Sequence, residues 1–203
     1  MNPIRKTMNK LSLVLLAVLT AGTLFSCSDE EGFVPKPKGY NKIDLPEHAY
    51  QSLKEEHPYT FEYSKYAEIR PDDSKLAEPH WLNVYYPELG CFVQITYKDI
   101  RNNKKNFDEH VDDSHKLAIK HNVKAYAINE SVDTTAKGYT VTYFELEGEV
   151  PSQFQFYVTD STANFLRGAL YFKTATRNDS LAPVIRYVKK DILHLVKTLE
   201  FEK

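Results

Sequence analysis

Cysteine, glycine, methionine and tryptophan are scarce in this 203-residue chain, at 2, 7, 2 and 1 residues. Two cysteines cannot build the framework of bridges that staples small exported domains. So few glycines leave no phosphate-cradling loop and no Gly-x-Ser-x-Gly turn, and no Cys/His pairing has zinc-ligand spacing. Apolar runs of membrane-spanning length are missing after Leu24. Positive charge is not in excess either: 26 Lys and Arg stand against 28 Asp and Glu, which excludes a general attraction to nucleic acid.

What is present at the N-terminus is a basic start, Arg5, Lys6 and Lys10, an apolar stretch from Leu11 to Leu24, and then Leu24-Phe25-Ser26-Cys27. Residues 1–26 read as a lipoprotein signal peptide, cleaved just before the cysteine. Cys27 is then the lipid attachment site. Its sulfur carries a diacylglyceryl group as a thioether, and cleavage frees its α-amine for a further acyl chain such as palmitate. The apolar run is too short, and too diluted by Thr20, Gly22 and Thr23, for a spanning helix. Phe25 stands where such signals usually carry a smaller residue. With Cys27 acylated, Cys91 has no partner. Its place in the alternation Cys91-Val93-Ile95-Tyr97 predicts a small buried hydrophobe, with no basic cluster nearby to activate the thiol.

Residues 27–56, the lipidated cysteine followed by Ser28-Asp29-Glu30-Glu31 and then Pro35, Pro37, Gly39 and Pro46, read as a flexible acidic tether that cannot bury enough apolar surface to fold. Residues 57–203 then form a single globular domain. Period-two alternation predicts strands at Tyr59-Phe61-Tyr63, Leu82-Val84-Tyr86, Cys91 to Tyr97, Phe154-Phe156-Val158 and Leu166 to Phe172. Ile128, Val141, Tyr143, Phe144 and Leu146 mark others, and the change of face between Tyr143 and Phe144 predicts a bulge. Helical spacing links Phe107, Val111, Ser114 and Ala118 within Asn103 to His121. A second helix follows Asp179 and Ser180, with Pro183 in its first turn and Leu181, Val184, Ile185, Val188, Ile192, Leu195, Val196 and Leu199 on one face. Strands, helix, strands, helix predict an α+β fold, an antiparallel β-sheet covered by helices, similar to the Mog1/PsbP-like α/β/α sandwich.

Candidate chemistry is thin. His110, His115 and His121 share the first helix with Asp108, Asp112 and Asp113, but spacings of five and six do not put two histidines on one helix face, so no metal or other cofactor is expected. His115 with Asp112 forms one His-carboxylate couple that a hydrolase could use. Ser114 beside His115 cannot serve as its nucleophile, because adjacent helical residues point about 100° apart. Trp81, Tyr85, Tyr86 and Phe92 concentrate aromatic surface and motivate a second reading, a small-ligand module with an aromatic pocket; ordinary strand packing explains the same residues. Asp133-Thr134-Thr135, Asp160-Ser161-Thr162 and Asp179-Ser180-Leu181 resemble the short acceptor for periplasmic O-glycosylation in Bacteroidetes, with Thr134 in the most polar loop as the candidate.

The segments PKPKGYNKIDLP (35–46), WLNVYYP (81–87), DSHKLAIKH (113–121), FYVTDSTANFLRGALYF (156–172) and DSLAPVIRYVKKDILHLVKTLEF (179–201) resemble the gliding motility lipoprotein GldD family of Bacteroidetes. The resemblance implies a non-enzymatic cell-envelope lipoprotein of the gliding motility or type IX secretion machinery. Its partners would be other envelope proteins of that machinery, with the membrane reached through the lipid anchor. The expected location is the outer membrane, lipid-anchored, on the periplasmic side rather than the cell surface, although acidic residues just after an acylated cysteine also resemble a signal for display on the outer face. The family offers no catalytic residues, and Cys27 alone transfers.

Overall fold

Alternating apolar residues put one set of side chains on each side of an extended backbone. The computed structural model, which describes residues 44–120, 125–172 and 178–202, pairs these segments in antiparallel sheets, one large and two small. Three short strands come first, β1 (Tyr50–Ser52), β2 (Tyr59–Thr60) and β3 (Glu62–Ser64). They are followed by β4 (Glu68–Pro71), β5 (Leu82–Tyr86), β6 (Cys91–Asp99) and helix α1 (Lys104–Ile119). The rest comprises β7 (Ala125–Thr134), β8 (Thr140–Gly148), β9 (Phe154–Thr159), β10 (Asn164–Phe172), helix α2 (Asn178–Thr198) and β11 (Glu200–Phe201).

The large sheet has seven strands in the order β4-β5-β6-β10-β9-β8-β7, every neighbouring pair antiparallel. After β6 the chain crosses through α1 to the far edge, then returns by β7, β8 and β9 until β10 closes beside β6. Two small sheets, β1 with β3 and β2 with β11, lie apart from it. α1 starts where Asn103 takes an extended conformation and its side-chain oxygen accepts the N–H groups of Lys105 and Asn106, two of the donors a helix start leaves unpaired.

Register places Leu82, Val84, Tyr86, Cys91, Val93, Ile95, Leu166, Leu170, Phe156 and Val158 on one side of the sheet, where they meet Val184, Val188, Ile192, Leu195, Val196 and Leu199 of α2. Each such burial contributes roughly 1.5–3 kcal/mol. That exceeds anything local helix preference supplies, so packing holds α2 in place. The opposite side carries Phe144, Leu146, Tyr157 and Phe165, covered by Phe107, Val111 and Ala118 of α1. One helix on each face makes an α/β/α sandwich, and the expected α+β fold is the observed one.

Three details differ from expectation. No bulge interrupts β8, whose register against β9 runs unbroken from Thr140 to Glu145. Tyr143 and Phe144 are both apolar because the two faces of β8 pack against different layers; the register shift lies instead between Ala125 and Ala127 of β7. Pro183 sits inside α2 rather than in its first turn, removing one backbone hydrogen bond. The segment expected to act as tether up to residue 56 already contains β1 and the buried Leu53. Residues 44–52 are therefore partly packed structure, because their aromatic side chains find partners on α2.

Candidate functional site

Those partners form a polar cluster centred on Asp191. Asp191 of α2 is 2% exposed, and its carboxylate lies against the sheet. One oxygen meets His48 Nδ1 at 2.7 Å, and the other accepts from the Tyr86 hydroxyl at 3.1 Å. The His48 ring stacks on Tyr187 with centroids 4.3 Å apart, and Tyr50 stacks on His194 at 3.5 Å. His194 Nε2 in turn meets Glu62 of β3 at 2.7 Å. Two histidine–carboxylate contacts and two ring stacks thus fasten His48, β1 and β3 onto α2.

The electrostatics oppose nucleophilic use of this cluster. Burial, and after it the Asp191 carboxylate, pushes the Tyr50 phenol up to about 12 and the Cys91 thiol likewise to about 12. Tyr86 is raised well above its ordinary value by the same two causes in the same order. Phenols and a thiol held protonated are poor nucleophiles at neutral pH. Cys91 is fully buried on β6, the small hydrophobe its alternation suggested. Among the described residues no group of three or more His, Cys, Asp or Glu side chains converges on a metal position.

The residues singled out by sequence are scattered. Cys27 and His121 lie outside the described residues. His115 does not hydrogen-bond Asp112, which is exposed; its Nε2 meets Glu130 of β7 at 3.1 Å and its Nδ1 the Val111 carbonyl at 2.9 Å. Ser114 is buried and donates to the His110 carbonyl. Glu130 was invisible to a helix-face argument because it comes from another element. Tyr85 and Phe92 pair across β5 and β6 on one face of the sheet, whereas Tyr86 points to the other, into the α2 interface. Trp81 donates its indole N–H to the Tyr97 carbonyl. The four aromatics therefore do not line one pocket. Thr134 is exposed at the last position of β7, paired with Thr140. The Asp160 carboxylate accepts the N–H groups of Thr162, Ala163 and Asn164, so that acidic turn is spent on its own backbone.

Burial of the His115 ring pulls its pKa down, but the contacts with the Val111 carbonyl and Glu130 outweigh it and leave the pKa raised. A raised folded-state value means that the charged ring stabilises the fold below the unfolded pKa of about 6.5. That contribution fades as pH rises through the folded value. Glu130→Gln should lower the His115 pKa, as read by NMR titration of the ring. An unchanged titration would show that Glu130 does not hold the imidazolium.

The family described as gliding motility lipoprotein GldD matches residues 30–201. No curated protein matches the chain. Among solved structures, the solution structure of the cyanobacterial PsbP of Synechocystis is similar to it at 10% identity and a TM-score of 0.46, covering 79% of this chain and 97% of that one.

Proposed function

The chain belongs to the gliding motility lipoprotein GldD family, and from that premise we propose that it is a non-enzymatic assembly or stabilising component of the gliding motility and type IX secretion machinery. It acts through envelope protein partners, at the periplasmic side of the outer membrane, where Cys27 holds it by its lipids. The observation that carries this reading is the family match itself, which begins three residues after Cys27 and spans strands, both helices and β11. The polar groups support it: Asp191, His48, His194 and His115 are each engaged by neighbouring elements in a way that braces the fold. Residues 1–26 serve as the signal peptide, and what precedes the packed segment serves as tether. Thr134, exposed at the end of β7, is the proposed O-glycosylation acceptor.

Two measurements test this. Cys27→Ser should move the protein from the membrane fraction to the soluble fraction and abolish function while leaving the domain folded, since stable attachment needs more than one acyl chain and the tether has no basic patch to assist. A variant still found in the membrane fraction would refute the anchoring role. Deletion should lower the amounts of partner envelope proteins and of exported type IX cargo; unchanged levels of both would sink the assembly role.

A further inference from the structure

Two imidazoles from different loops face each other beside β2. His57 stands two residues before β2 and His80 two residues before β5, and their Nδ1 atoms lie 3.2 Å apart. With no metal between them, such a pair shares one proton, one ring donating and the other accepting. The separation also suits two ligands of one tetrahedral ion, because metal–nitrogen bonds of about 2.0–2.1 Å place the nitrogens about 3.3–3.4 Å apart. We propose that His57 and His80 form a two-imidazole site for a borderline divalent ion of the zinc class. Binding forms two metal–nitrogen bonds, one to each Nδ1; the donor ring gives up its Nδ1 proton and takes one up at Nε2 through solvent, so both ligands are neutral imidazoles and no net proton or oxidation state changes.

Neighbouring rings hold the pair in this pose. His57 stacks on Tyr59 with centroids 5.2 Å apart and planes 9° from parallel, and Tyr97 meets the His80 ring edge-on at 6.2 Å. The Tyr59 hydroxyl donates to the His80 carbonyl, and the His80 backbone takes a left-handed φ of 69°. That conformation is uncommon for a residue with a side chain. Imidazole donors select zinc, copper or nickel over magnesium and calcium, which prefer oxygen. Among the described residues no third His, Cys, Asp or Glu joins the two. Water would complete the tetrahedron, so the ion exchanges readily and pins the loop before Trp81 to β2 only while bound.

Titration of the full chain with zinc chloride, followed through the ring nitrogens by NMR, tests the site. The expected result is that the Nδ1 signals of His57 and His80 shift together and saturate at one ion per chain, while magnesium chloride shifts neither. His57→Ala and His80→Ala should each weaken zinc binding at least about tenfold, since loss of an outer-shell partner alone costs that much. Their melting temperatures without zinc should stay near that of the parent chain. Zinc-induced shifts at other histidines instead of these two, no shifts at all, or equal affinity in both variants would overturn the proposal. Should either variant fail to fold, the assigned shifts in the unsubstituted chain decide alone.

Discussion

Asp191→Ala should lower the unfolding free energy by about 3 kcal/mol, the largest loss expected of any single polar side chain among the described residues. The carboxylate is 2% exposed and serves two partners at once, His48 Nδ1 at 2.7 Å and the Tyr86 hydroxyl at 3.1 Å. Truncation leaves the Tyr86 hydroxyl, itself in a side chain 2% exposed, without its acceptor. It also frees His48, whose side chain is 27% exposed and can turn to water, which keeps the loss toward the lower end of the range for broken buried pairs. Asp191→Asn separates charge from geometry. The amide oxygen can still accept from Tyr86 and the amide nitrogen can donate to a neutral His48, so a loss of about 1 kcal/mol is expected. Urea unfolding reads both. Equal losses for the two substitutions would mean that the charge, not the hydrogen bonds, holds the cluster. No loss for Asp191→Ala would mean that the segment around β1 is not fastened there. Limited proteolysis adds a local readout: cleavage ahead of β1 should become faster in Asp191→Ala before the rest of the domain yields.

That cluster was hidden in the sequence for a definite reason. His48 and Asp191 are 143 positions apart, and no periodic pattern links an extended segment rich in proline to a helix near the other end of the chain. A trace of it was nevertheless available. Asp191 lies three residues after Val188 and four before Leu195, which puts a carboxylate within the apolar arc of α2. A charge on a buried face needs a partner, and that demand could have pointed to a histidine elsewhere. By contrast α2 itself and the strands β5, β6, β9 and β10 were legible, because the positions of each that face the sheet–α2 core recur at the period of their own element as apolar residues. β8 defeats the period-two reading because its apolar side chains change from the α2 side, Val141 and Tyr143, to the α1 side, Phe144 and Leu146, with no break in the strand. β7 gave almost no signal: of its ten residues most are exposed, and pairing with β8 rather than any burial of its own holds it extended. The expected strand from Tyr59 to Tyr63 divides at Phe61 into β2 and β3, which pair with β11 and β1, and no local pattern shows those pairings. The His115 couple was half legible for the same reason. Its helix was visible, but Glu130 belongs to the strand that follows.

Gly168→Ala is expected to be as damaging as loss of Asp191, by an opposite route. Gly168 faces α2 in the middle of β10, directly across from Phe156 of β9, and the Phe156 ring lies over the space a side chain would occupy. A Cβ added there would overlap Cε1 and Cζ of that ring and stand 3.1 Å from its Cδ1. Phe156 has nowhere to go: it is 1% exposed and belongs to the core between sheet and α2. Overpacking of this kind costs about 1–3 kcal/mol, and the direct overlap with a ring that cannot rotate away places this case near 3 kcal/mol. The glycine is therefore present for close approach and not for an unusual backbone angle. Phe156→Leu should lose about 1–2 kcal/mol alone, by opening space above Gly168. Combined with Gly168→Ala, that space accepts the new methyl group, so the double variant should be more stable than the sum of the single losses predicts by at least about 1 kcal/mol. Denaturant unfolding of the four chains measures this coupling. Strict additivity would show that the two side-chain positions do not compete for the same volume, and the account of Gly168 as a seat for the Phe156 ring would fall.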